Sequence, residues 1–153
     1  MSNGPLPSQL CLLSALPSRT VGEKVRFLGC VASYSLASGV LTLEHYRHPL
    51  DNNTAVRALV DVNLVLASLK ADQTRIGEWV NVIGYITAIH PSTDAKASDN
   101  GGLRVQIQSL VVWSAGPLDV KQYEASMVAL VGEHSNANGD GSPTNNALLR
   151  AAK

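Results

Sequence analysis

The sequence predicts a mainly β protein: one closed barrel of five strands, with a helix between the third and fourth strands and an amphipathic helix after the fifth. Three observations carry this. The stretch Val21-Gly22-Glu23-Lys24-Val25-Arg26-Phe27-Leu28-Gly29-Cys30-Val31 recurs as Ile76-Gly77-Glu78-Trp79-Val80-Asn81-Val82-Ile83-Gly84-Tyr85-Ile86, on the frame apolar, Gly, Glu, any, Val, any, apolar, apolar, Gly, any, apolar. In both copies Gly-Glu reads as a turn into a strand, and the later glycine interrupts the alternation where a β-bulge or sharp bend belongs. Strand-like runs separated by turn signals then follow in the order β-β-β-α-β-β. Finally, 153 residues give room for one domain with a proper core and some tail. A small closed barrel needs strands bent enough to serve two sheets, and the five-stranded OB-fold Greek-key barrel bends its first and fourth. Chance similarity between two ordinary strands is the plainer alternative.

In chain order, residues 1–19 hold three of the seven prolines around Leu10-Cys11-Leu12-Leu13. They read as an N-terminal arm, extended or with one short turn, laid on the barrel by its leucines. The first strand spans Lys24 to Tyr34, Ser38-Gly39 turns the chain, and Val40 to His45 is the second. The polar run from Tyr46 to Asn53 connects to a third strand, Ala55 to Val60. From Asp61 the period changes: Val62, Val65, Leu66 and Leu69 fall at helical spacing behind a plausible N-cap, with Lys70 in the last turn. In OB barrels that helix plugs the open bottom. The fourth strand spans Glu78 to Ile89, and His90 to Gly102 is a Ser/Asp/Asn/Gly loop expected to move. The fifth, Leu103 to Trp113, sets Leu103, Val105 and Ile107 on one face and Arg104, Gln106 and Gln108 on the other. Gly116-Pro117 ends it, Asp119 and Gln122 make a capping-box-like start, and Val120, Tyr123, Met127, Leu130 and Val131 line one side of a helix that Gly132 stops. The barrel domain with its helix therefore occupies 20–131. Residues 132–153 read as a flexible tail, since Ser135 to Asn146 has too few apolar groups to offset its ordering entropy.

Composition narrows the function. Twelve basic and twelve acidic side chains leave no net charge, so nothing steers nucleic acid to the molecule as a whole. Binding of DNA must be local or shared with a partner. Cys11 and Cys30 lack a C-x-x-C or a matching His pair and read as buried thiols in a reducing compartment. No apolar run is long enough to span a membrane, and the start lacks a secretory pattern, so the expectation is an intracellular soluble protein.

With the whole order in view, Phe27-Leu28-Gly29-Cys30-Val31, Val60-Asp61-Val62-Asn63-Leu64, Gly77-Glu78-Trp79-Val80-Asn81-Val82-Ile83-Gly84-Tyr85 and Val112-Trp113-Ser114-Ala115-Gly116-Pro117-Leu118 resemble the fungal Ten-one family, the smallest subunit of the CST telomere-capping complex. The resemblance covers about Leu10 to Met127. It implies an OB-fold protein of telomeric chromatin in the nucleus, without catalysis or cofactor, paired with the larger OB-fold subunit of that complex. Such a heterodimer is similar to the two smaller subunits of replication protein A. Two alternatives stand beside it: a purely structural stabiliser of its partner with no DNA contact, and a small subunit of a replication protein A-like complex.

An OB fold binds single strands on its second and third strands, between the loops joining strands one and two and strands four and five. Stacking needs aromatic faces and phosphates need cations. The candidates for DNA are Arg26, Tyr34, Tyr46, Arg47, Arg57, Tyr85 and Arg104. Phe27, Trp79 and Trp113 read as packing, and each tyrosine has packing as its ordinary alternative. For the arginines a solvated face is the ordinary reading. His45-x-x-His48 beside Glu44 and Asp51 lacks a third strong ligand and is read as no metal site. Glu23 and Glu78 hold equivalent turn positions, which suits a structural role. The candidates for the partner are Val120, Tyr123, Met127, Leu130 and Val131: an OB barrel already plugged by one helix leaves a second amphipathic helix in need of another apolar surface.

Overall fold

The repeat is the axis of the fold. In the computed structural model, which describes residues 4–45, 56–91 and 102–137, the two copies lie antiparallel and pair with each other. Strand β1 is Gln9–Leu10, β2 Lys24–Ser35, β3 Val40–Glu44, β4 Val56–Asp61, β5 Trp79–Pro91 and β6 Leu103–Ser114. The sheet order is β1-β2-β3-β4-β6-β5, and the additional pairing of β2 with β5 closes β2 to β6 into a five-stranded barrel. Strand β4 runs parallel to β6, and the other barrel pairs are antiparallel. All five predicted strands are present. The chain divides into two compact units, Met1–Leu118 and Asp119–Lys153.

The pairing of β2 with β5 is a local two-fold. Phe27 faces Val82, which holds the same place in the second copy of the repeat. The Gly22 N–H donates to the Ile86 carbonyl at 2.7 Å and the Gly77 N–H to the Val31 carbonyl at 2.9 Å. The Ile86 and Val31 N–H groups return bonds to the carbonyls of Glu23 and Glu78. Each copy's turn thus ties down the other copy's last apolar residue. Gly22 and Gly77 have φ of 97° and 91°, at the third position of turns closed by Glu23 N–H to Thr20 O and Glu78 N–H to Arg75 O. Glycine takes that conformation without the steric cost a Cβ would add. Glu23 and Glu78 lie 3.8 Å from Arg19 and 3.7 Å from Arg75, the shared structural role expected of them.

The later glycines of the frame answer to close approach. At Gly84, opposite a register shift in β6, a Cβ would collide with the Gln108 carbonyl oxygen and Ile107. At Gly29 it would sit 2.8 Å from the Leu43 Cβ and 2.9 Å from Leu13. Here β2 leaves β5, with which Lys24–Cys30 pair, and joins β3 from Cys30 onward.

Alternation sends Val25, Phe27, Val31, Leu41, Leu43, Ala58, Val60, Val80, Val82, Ile86, Val105 and Ile107 inward, where they form one buried cluster. The N-terminal segment joins it. A 3-10 helix over Leu13–Ser18 sits against β2, β4 and β6 with Leu13 and Leu16 fully buried in the core, while Leu10 stays exposed. Backbone pairing holds the segment too: β1 is parallel to β2, and the Cys11 N–H donates to Arg26 O.

The helix expected between the third and fourth barrel strands is reduced to two 3-10 turns, Asn63–Val65 and Ala71–Gln73. Asp61, expected as an N-cap, stays in β4, and its Oδ1 accepts the Asn63 backbone N–H at 2.9 Å and side-chain amide at 2.7 Å. The Asn63 amide also donates to the Ser38 carbonyl, and the Val62 N–H to that of Gly39, so the segment starts stapled to the β2–β3 turn. By Lys70 the backbone is extended again. So short a run cannot repay helix nucleation. Val62 and Val65 still reach the core, but Leu66, meant for the same stripe, is 48% exposed.

Leu16→Ala should cost about 2–5 kcal/mol in urea unfolding and Gly84→Ala about 1–3 kcal/mol, the first through a cavity and the second through overpacking. Wild-type midpoints would mean that neither the arm nor the close approach at Gly84 supports the barrel.

Candidate nucleic-acid interface

Cross-strand register assembles the outer wall of β3, β4, β6 and β5. Glu44 pairs with Arg57, Arg57 with Arg104, and Arg104 with His90, so four side chains with charge or proton chemistry form one row. The Arg57 Nε lies 2.7 Å from the Glu44 Oε1, the two side chains being 46% and 41% exposed. A pair so open to water contributes only about 0.2–1 kcal/mol. The next row is Thr42, Leu59, Gln106, and the next Val40, Asp61, Gln108, Tyr85, Lys24. Among the described residues, the β3–β4 part of this wall carries no aromatic ring.

The candidates for DNA therefore separate. Arg57 and Arg104 meet on neighbouring strands. Tyr85 lies on the outer face of β5 between Lys24 and Gln108. Arg26 stands on β2 opposite Ile83, its guanidinium 5.1 Å from the centre of the Trp113 ring, a cation–π contact that gives Trp113 a role besides packing. Tyr34 is partly buried against the core, which fits packing better than stacking. Tyr46, Arg47 and His48 lie outside the described residues, as does most of the loop His90 to Gly102. Glu44 and His90 were missed as members of this site, because only the pairing register shows that they share a row with the arginines.

In the second unit, helix α1 spans Val120–Ala137. The Asp119 Oδ1 accepts the Gln122 N–H at 3.2 Å and the Asp119 carbonyl accepts the Tyr123 N–H, the N-terminal cap the sequence anticipates. The helix runs through Gly132, the expected stop. One interior glycine costs only about 1 kcal/mol relative to alanine, too little to end a helix by itself. Val120 and Tyr123 are half-buried and Met127 is buried, whereas Leu130 is 46% and Val128 65% exposed. The side chain of Val131 and the residues from 138 onward lie outside the described set.

The family model of Ten1, telomere capping, CST complex subunit, matches residues 1–128. The chain belongs to the Ten1 family. It is a telomere-capping subunit of the CST complex. Among solved structures it is similar to the S. pombe Stn1–Ten1 complex, with 23% identity, 84% of this chain and 96% of the other covered, and a TM-score of 0.57. The S. pombe telomere capping protein Ten1 gives 23%, 82%, 99% and 0.56. The U. maydis replication protein A bound to ssDNA gives 17%, 82%, 91% and 0.46. No curated protein matches the sequence. The two S. pombe likenesses establish the OB fold that the strand order describes.

Among the described residues of this Ten1-family chain, no group of three His, Cys, Asp or Glu side chains could hold a metal ion. His45 meets the Trp79 ring edge-on at 5.8 Å, while His48 and Asp51 lie outside the described residues. Burial pushes the Cys11 thiol from 9.0 up to about 11, with Arg19 opposing and Glu23 adding to the rise. Burial also raises Cys30, helped by Glu44 and Glu78. Both are therefore neutral thiols near pH 7, poor nucleophiles and poor metal ligands.

A raised folded-state pKa gives stability that is fully present below about pH 9, the unfolded thiol's value, and lost as pH rises through about 11. Denaturant unfolding across that window should show the loss, and Cys11→Ala should lack that component of it. An identical pH profile for the variant would contradict a buried neutral thiol.

Proposed function

We propose that this chain works as the accessory half of a heterodimer with the larger OB-fold subunit of the CST complex, held through helix α1 and adding a modest single-strand DNA contact at telomeric ends in the nucleus. The apolar side of α1 supports the first part. Val120, Tyr123, Met127, Leu130 and Val131 recur at helical spacing; of these Leu130 is 46% exposed, and Val128, two residues away and on a different side of the helix, leaves a second apolar side chain open to a partner. The likeness to a chain of an Stn1–Ten1 complex, together with family membership, points to an Stn1-type partner. The family match disfavours the replication protein A-like alternative.

The DNA contact is assigned to Arg57 and Arg104, with Tyr85, Tyr46 and Arg47 as flanking candidates and Arg26 on β2 outside the row. The purely structural reading draws on a specific observation: Arg57 already has Glu44 as its anion, and the described β3–β4 wall offers no base a ring to stack on. Any affinity should accordingly be low for the isolated chain and higher for the heterodimer.

Leu130→Ser with Val128→Ser should weaken binding to the larger subunit by about 1–3 kcal/mol in titration calorimetry, as loss of interface anchors does, while the thermal midpoint of the isolated chain stays put. Met127→Ala should lower that midpoint as well, because Met127 is buried. Wild-type affinity in the folded double variant would remove the helix from the interface.

A further inference from the structure

The row that brings Arg57 and Arg104 together also holds the group that opposes them. Two arginines directly opposite on adjacent strands repel each other, and one carboxylate in line with them offsets part of that charge. Glu44 is that carboxylate, as the register partner of Arg57 on β3 and the acceptor at its Nε. A phosphate would seek the same fork of the guanidinium, since planar recognition of either anion uses parallel N–H donors. The adjacent row of Thr42, Leu59 and Gln106 supplies no further cation. The charge met by a strand crossing Arg57 and Arg104 thus depends on whether Glu44 keeps its place.

We infer that Glu44 is an internal competitor for the phosphate of a bound single strand: its carboxylate occupies Arg57 in the empty barrel and lowers the affinity of the row for a phosphodiester. This rests on the DNA contact proposed above and adds a residue that restrains it. Both side chains are open to solvent, so burial does not hinder exchange of one anion for the other. The exchange makes binding at this row weak and reversible, which suits a subunit whose partner shares the strand.

The test measures fluorescence anisotropy of a labelled oligothymidylate with the full chain, alone and bound to its larger subunit, for wild type, Glu44→Gln, Arg57→Ala, Arg104→Ala and Glu44→Gln combined with Arg57→Ala. Thermal midpoints confirm that each variant is folded. Glu44→Gln should tighten binding roughly twofold to fivefold at low salt, the effect of releasing Arg57 from an exposed ion pair. It should also steepen the dependence of log affinity on log salt by about 0.7, one more phosphate neutralised. In the Arg57→Ala background the gain should vanish. Should Arg57→Ala and Arg104→Ala weaken binding while Glu44→Gln leaves it unchanged or weaker, the contact stands and the competitor is refuted. An equal gain with and without Arg57 would assign the effect to overall charge and likewise refute it. No effect from either arginine variant would defeat the DNA contact itself, and the competitor with it.

Discussion

The barrel is held shut by one strand pairing, that of β2 with β5, and this pairing exists because two copies of one sequence frame meet about a local two-fold. Phe27 against Val82 marks the axis, and the four backbone bonds among Gly22, Glu23 and Ile86 and among Gly77, Glu78 and Val31 close its two ends. Turn glycines with positive φ start each strand, and bend glycines let it approach its neighbours more closely than any Cβ allows. Closure by bent strands removes the exposed edges that an open sheet would leave.

Everything on the outer wall takes its position from that closure. Once β2 and β5 are joined, β6 lies between β5 and β4, and the parallel register of β4 with β6 sets Arg57 beside Arg104. The same register buries Ala58, Val60, Val105 and Ile107 on the opposite face, so the charged row cannot shift by one residue without turning the core outward. Charge chemistry on the wall is thus fixed by hydrophobic packing behind it. The Leu13–Ser18 segment contributes to the same core from outside the barrel strands, which makes residues read as an arm part of the packing that holds the wall.

Much of this was legible in the sequence because it rests on short-range rules. The repeated frame, the alternation in the strands and the Asp119 cap each depend on residues close together in the chain, and all of these appear where expected. The helix after the third barrel strand was less legible, since Val62 and Val65 suit one buried turn of either kind and only the staple from Asn63 to Ser38 decides between them. Glycine at 132 read as a stop, yet a helix end depends on where the chain goes next. The Glu44–Arg57–Arg104–His90 row was not legible at all as a unit, because its members come from four strands and meet only through long-range register.

Native-state hydrogen exchange tests the closure most directly. The amides of Gly22, Val31, Gly77 and Ile86, which make the four closing bonds, should exchange together at the rate of global unfolding, although two of them lie in surface turns. Exchange of these amides by separate local openings, as fast as in exposed loop segments, would contradict the claim that the pairing of the two repeats holds the barrel closed.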